Sequence, residues 1–217
     1  MQPSDLDLAG LCLSQSSNEN IFDHDFVIGG DRYSIKHNPD FTVVVHQGSH
    51  DFLNWFYNAD FVMIKVPEFA GVDLGFDLNV PAMTVQAIPL IPKDKPVYFT
   101  GHSRGAPRAQ LMAARFIKQG YQVIVVVFAS PRPGDAMLAR ILNEMPIRSY
   151  RNYDSFDEQD FVCDVPLPYP FGYVHPVDQI IINVPPEPND SWGIFARHHL
   201  QLYIEGLQNG QSNASPK

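Results

Sequence analysis

The 217-residue sequence has few cysteines, few basic residues and no long apolar run. Cys12 and Cys163 are its two thiols and stand far apart, so they offer neither a disulfide framework nor the close spacing of a zinc or redox site. Both are expected to be plain reduced residues. Lys and Arg total 15 against 24 for Asp and Glu, giving a formal charge of −9 that discourages contact with polyphosphate backbones and anionic membranes. Nucleic acid is therefore not an expected partner. The apolar run 123–129 falls far short of the roughly 20 residues a membrane helix needs. The first residues, Met1-Gln-Pro-Ser-Asp-Leu-Asp, are acidic where a secretory leader is basic, which makes a cytoplasmic location the expectation.

What the chain does have is apolar material, 45% of all residues with 12% aromatic, enough for one large core. No repeat or low-complexity block divides it, so 1–217 is expected to be a single domain, with a frayed tail at 209–217 rich in Asn, Gln, Ser and Gly. A short helix is expected over 6–13. The stretches 26–35 and 41–46 read as two strands joined through the turn cluster His37-Asn38-Pro39-Asp40, an N-terminal antiparallel hairpin. From residue 61 onward, strand-like runs at 61–66, 97–100, 123–128 and 147–151 alternate with helical ones at 80–91, 105–119 and 133–143. Such alternation implies an α/β fold, a mostly parallel central sheet with helices on both faces. A last helix is expected over 196–207, opened by His198 and His199, with Leu200, Tyr203, Ile204 and Leu207 on one face.

Between the strand ending at Thr100 and the helix near Gly105 lies Gly101-His102-Ser103-Arg104-Gly105, a G-x-S-x-G sequence. A tight strand-to-helix turn forces its central residue into a strained conformation, and flanking glycines remove side chains that would strike neighbouring backbone. The turn holds a serine hydroxyl at the carboxyl edge of the sheet, where the helix start offers N–H groups to a developing oxyanion. A serine hydroxyl needs a base, and the base needs a carboxylate to fix its tautomer. On such sheets both follow the serine in chain order, which leaves Asp154, Asp157, Asp160 and Asp164 as acids and His175, His198 and His199 as bases.

Taken together, these residues resemble the class 3 lipase family, the fungal-type triacylglycerol lipases and their bacterial and phage relatives. The resemblance runs from about residue 42 to about 207: Val43-Val-Val-His-Gln-Gly-Ser49 followed by Asn54-Trp55, then Gly75-Phe76, the elbow Thr100-Gly-His-Ser-Arg-Gly-Ala106, and Val127-Phe-Ala-Ser-Pro-Arg-Pro-Gly-Asp135. It implies an alpha/beta-hydrolase fold and a serine carboxylic ester hydrolase that needs no cofactor or metal. The family's D-x-V-x-x-L-P run is matched in register by Asp160-Phe-Val-Cys-Asp-Val-Pro166, which implies Asp160 as the acid. A histidine five residues before a tyrosine implies His198 as the base, with His199 as the alternative. The oxyanion hole would use the backbone N–H groups of Ser49 and Arg104, with the Ser49 hydroxyl as an additional donor. Residues 51–57 correspond to a lid, with Phe52, Leu53, Trp55 and Phe56 available to a lipid surface or an acyl pocket.

The expected partner is thus a small-molecule or lipid ester, and lipase, esterase, phospholipase and acyltransferase action all fit the motif. Gln47, Asn54, Arg104, Ala106 and Ala129 depart from the family's usual residues, and motivate the alternative of an inactive hydrolase-fold module that binds or scaffolds. Arg104 is expected to stand exposed beside the nucleophile and favour polar or anionic substrates. His102 is expected to be structural, and the acidic loop around Asp154 and Asp157 to favour the imidazolium. His46 and His50 straddle a strand end, so they are not expected to share a metal.

Overall fold

Two consecutive glycines shape the N-terminal strands. In the computed structural model, which describes residues 2–49, 61–155, 157–210, 213 and 214, Gly29 and Gly30 have φ of 57° and 86°. Left-handed backbone at both central positions makes a two-residue hairpin turn, and glycine adopts it without a Cβ penalty. The stretch expected as one strand is therefore two, β1 (His24–Ile28) and β2 (Asp31–His37), paired antiparallel. After the expected Asn38 turn, β3 (Thr42–His46) pairs antiparallel with β2.

The expected strand at 61–66 does not join this sheet. It forms β4 (Met63–Val66), which pairs with β5 (Ala70–Asp73) as a separate antiparallel hairpin. The place beside β3 is taken by β6 (Val97–His102) in parallel register, which leaves β4 only its sequence neighbour. Then come β7 (Val123–Phe128), β8 (Ile147–Asn152) and β9 (Ile180–Ile182), each parallel to the one before, and β10 (Asn213–Ala214), antiparallel to β9. The sheet order is β1-β2-β3-β6-β7-β8-β9-β10.

Strand side chains alternate between two cores. Val43, Val45, Tyr98, Val126 and Phe128 face one layer, packed against α1 (Asp5–Ser16) and the last helix, while Val44, Phe99, Val125 and Val127 face the other. That second layer holds the short α2 (Leu74–Asp77), α3 (Val80–Ala87), α4 (Gly105–Lys118) and α5 (Ala136–Leu142). A Ser4–Asp7 capping box starts α1, reciprocally satisfying backbone N–H groups at its end.

The expected last helix is broken. His199 is extended, with φ −61° and ψ 126°, and separates a 3-10 turn (Gly193–His198) from α6 (Leu200–Gln208). His198 therefore closes the turn before the helix, and neither histidine lies within α6. None of the described helices is long and apolar enough to cross a membrane.

Candidate active site

The loops that matter leave the carboxyl ends of β3, β6, β8 and β9, the edge where open α/β sheets gather ligands. At the end of β6 the chain turns sharply into α4. Ser103 has φ +56°, a conformation costing a residue with a side chain about 1–2 kcal/mol. The glycines around it are required by backbone contacts. A Cβ on Gly101 would lie 2.5 Å from the Gly105 carbonyl group, and one on Gly105 would lie 2.2 Å from the His46 carbonyl oxygen. The elbow is thereby pressed against the end of β3. The strain is held by Ser103 N–H donating to the Phe128 carbonyl oxygen at 3.1 Å and by Ala106 N–H donating to the Ser103 carbonyl oxygen at 2.9 Å.

The Ser103 hydroxyl lies 2.8 Å from His198 Nε2. On the other side of the ring, His198 Nδ1 lies 2.8 Å and 3.0 Å from the two oxygens of Asp160. Ser103 is 3% exposed, and Asp160 and His198 are fully buried. Asp160 ends an extended segment and caps the 3-10 turn Phe161–Asp164, its Oδ1 accepting from Val162 N–H at 3.0 Å. Its Oδ2 accepts from the Tyr203 hydroxyl at 2.6 Å. Burial works to raise the Asp160 pKa, but the charge and hydrogen bond of His198 and the Tyr203 hydroxyl outweigh it, so the carboxyl titrates below its ordinary value.

One further residue lies against His198. His102 Nε2 donates to the His198 carbonyl oxygen at 2.9 Å, and the two imidazole rings lie 4.7 Å apart. Burial, followed by the His198 charge, pushes the His102 pKa down to about 3, so this ring is neutral. His102 thus touches His198 directly. Its position inside the elbow was visible in the sequence, but its rotamer was not.

The other candidates are occupied elsewhere. His199 Nε2 lies 3.1 Å from Asp190 and its ring 4.0 Å from Trp192. His175 Nε2 donates to the Cys163 carbonyl oxygen at 2.7 Å. Asp164 pairs with Arg151 at 2.6 Å and Arg132 at 3.5 Å. Asp154, exposed, accepts from Asn183 at 2.7 Å, and Asp157 is exposed. The acidic loop meets the residue before His198: Glu158 pairs with the Arg197 guanidinium at 2.8 Å. Cys12 and Cys163 are free and buried.

Residues 47–49 run from β3 alongside the elbow. A Cβ on Gly48 would lie 3.0 Å from the His102 carbonyl oxygen and 3.6 Å from Ser103 Cβ, so this segment abuts Ser103. The Ser49 hydroxyl oxygen is buried and has no hydrogen-bond partner among the described residues. Arg104 caps α4, whose first N–H groups have no intrahelical acceptor. Its side chain departs from expectation. The guanidinium turns to Asp31 at 2.9 Å, and Arg108, buried, meets the same carboxylate at 2.5 Å. Asn79 donates to the other Asp31 oxygen at 2.6 Å. Arg104 is thus held in a polar cluster in which one carboxylate serves two guanidiniums, and does not stand free on the rim. Ala129, where the family pattern has glycine, directly follows β7 with φ +51°. His50 and the whole of 51–57 lie outside the described residues. No group of histidines, cysteines and acids that could hold a metal occurs among the described residues.

A family model for lipase (class 3) matches residues 43–169. Among solved structures, the chain is similar to the triacylglyceride lipase of Rhizomucor miehei, with 20% identity, 84% of this chain and 72% of that one covered, and a TM-score of 0.62. It is also similar to the mono- and diacylglycerol lipase of Aspergillus oryzae, with 21% identity, coverage of 90% and 70%, and a TM-score of 0.66. A triacylglycerol lipase described as having a serine protease triad at its catalytic centre matches at 19% identity, with coverage of 87% and 78% and a TM-score of 0.63. No curated protein sequence matches the chain. The structures share the fold, and the family model spans more than half of the sequence. The chain therefore belongs to the class 3 lipase family, with an alpha/beta-hydrolase fold and the character of a lipase-type serine carboxylic ester hydrolase.

Proposed function

We propose that the protein hydrolyses acyl esters, lipid esters among them, with Ser103 as nucleophile, His198 as general base and acid, and Asp160 as the carboxylate that orients the base. His198 Nε2 takes the Ser103 proton as Oγ attacks the ester carbonyl carbon. The carbonyl electron pair moves to oxygen, and the N–H groups of Arg104 and Ser49 stabilise that oxyanion. Collapse breaks the ester C–O bond, and the alcohol leaves with the proton from His198. Water, activated by the same ring, then releases the acid from the acyl-enzyme.

The observation that carries this reading is the unbroken hydrogen-bonded chain Ser103–His198–Asp160 in a buried setting. Low polarity around it strengthens each electrostatic contact, and each oxyanion donor in such a site is worth on the order of 3 kcal/mol. The Ser49 hydroxyl suits a third donor, since it is buried with no hydrogen-bond partner among the described residues.

A fluorophosphonate probe tests the reading. It should label the protein once, and Ser103→Ala should abolish labelling. An unlabelled wild type would make the chain an inactive hydrolase-fold module. Hydrolysis of p-nitrophenyl esters of graded chain length then defines the acyl preference.

A further inference from the structure

Asn152 ends β8 and is fully buried. Its backbone C=O accepts from Asp160 N–H at 2.8 Å, and its backbone N–H donates to the Tyr203 hydroxyl at 3.0 Å. Its side-chain Nδ2 donates to the carbonyl oxygens of Val184 at 2.8 Å and of Arg197 at 3.4 Å. Its Oδ1 accepts from Val184 N–H at 3.1 Å and from Arg197 Nη1 at 3.2 Å. One residue thus holds the backbone of the acid, the hydroxyl that binds the acid, and the residue immediately before the base.

The bond to Tyr203 has a direction. A backbone N–H can only donate, so the Tyr203 oxygen accepts from Asn152 and its single proton points to Asp160 Oδ2. On the other side, the amide group ties Arg197 to the end of β8, which limits how far the His198 ring can move from Asp160. Asp160 and His198 lie 38 residues apart on separate loops. Without such a tie their separation would depend on two irregular segments.

We propose that Asn152 is a positioning residue for ester hydrolysis, fixing the spacing of the Asp160–His198 pair through its links to both loops. This rests on the triad reading given above. The backbone links survive any substitution, so the side chain is the part that can be tested. Asn152→Ala removes the amide tie, and Asn152→Ser leaves one short donor and acceptor.

The experiment measures kcat, KM and the pH profile of kcat/KM for a soluble p-nitrophenyl ester, with sites counted by fluorophosphonate titration so that each rate refers to folded protein. Tyr121→Phe is the control: its hydroxyl donates to the carbonyl oxygens of Ile88 and Ile91, away from the triad, and it should lose stability while keeping its rate per site. For Asn152→Ala the expected result is a fall in kcat of tenfold to about 10²-fold, the scale of a misplacement near 1 Å, with KM little changed. The acid limb should also move to lower pH, because a less well-held carboxylate stabilises the imidazolium less. Asn152→Ser should fall between Asn152→Ala and wild type. Wild-type kcat per site and an unmoved acid limb in both variants would overturn the proposal and leave Asn152 a packing residue. If Ser103→Ala or His198→Ala kept full activity, the triad reading itself would fail; if both lose activity while Asn152→Ala does not, only the role of Asn152 falls.

Discussion

Replacing Gly105 with alanine pushes a methyl group into the end of β3. The added Cβ would lie 2.2 Å from the His46 carbonyl oxygen and 2.9 Å from the backbone carbons of His46 and Gln47. All three are backbone atoms, so no rotamer change relieves the overlap. The strand end and the helix start must separate by about 1 Å to restore ordinary contact. Overpacking of this kind costs about 1–3 kcal/mol in stability. The functional cost is expected to be larger, because the displaced segment leads directly into Ser49 while the helix start carries Arg104. A shift of about 1 Å between the two N–H groups proposed to hold the oxyanion is worth up to about 10²-fold in rate. Urea unfolding would give the stability loss, and kcat for a p-nitrophenyl ester, counted per fluorophosphonate-titrated site, would give the activity loss. The prediction is a modest loss of stability with a disproportionate loss of kcat. A variant with the stability and kcat of wild type would refute the reasoning that the second glycine of the elbow is set by contact with β3.

His46 should make the protein acid-sensitive well above the carboxylate range. Burial, followed by the Arg108 charge, pushes its pKa down to about 3, against about 6.5 in an unfolded chain. Above pH 6.5 neither state binds the proton; below it the unfolded chain does and the folded one does not, so stability falls as pH falls towards 3. Between pH 7 and 4.5 this amounts to about 2.5 kcal/mol. Urea unfolding across that range should show a shallower slope for His46→Leu, and an unchanged slope would contradict the assignment. Asp31→Ala should destabilise by about 3–5 kcal/mol, because it leaves the buried Arg108 beside Arg104 with no carboxylate; thermal unfolding measures it, and a loss below about 1 kcal/mol would show that water compensates both cations.

The elbow was legible in the sequence because its glycines answer to backbone geometry, which residue type alone encodes. Register picked out Asp160 among four acids in one loop, and the structure brings that acid, and no other described one, to His198. The choice between His198 and His199 was harder. Both precede Tyr203, and only the extended backbone at His199, which breaks the final helix, turns one ring to Ser103 and the other to Asp190. The Gly29-Gly30 pair is itself a turn signal inside the stretch 26–35, and it divides that stretch into two strands. The separation of β4 and β5 from the main sheet was not readable, since it depends on β6 occupying the edge of β3. Side-chain direction was equally hidden: nothing in the sequence near Arg104 says that Asp31, at the start of β2, captures it, or that His102 lies against His198.

The most direct test of the central claim compares kcat for p-nitrophenyl butyrate hydrolysis in wild type, His198→Ala and His199→Ala, with unfolding curves confirming that each is folded. The account predicts a loss on the order of 10³-fold or more for His198→Ala, the scale expected when a nucleophile loses its base, and a rate near wild type for His199→Ala. The reverse pattern, with His199→Ala inactive and His198→Ala active, would contradict it.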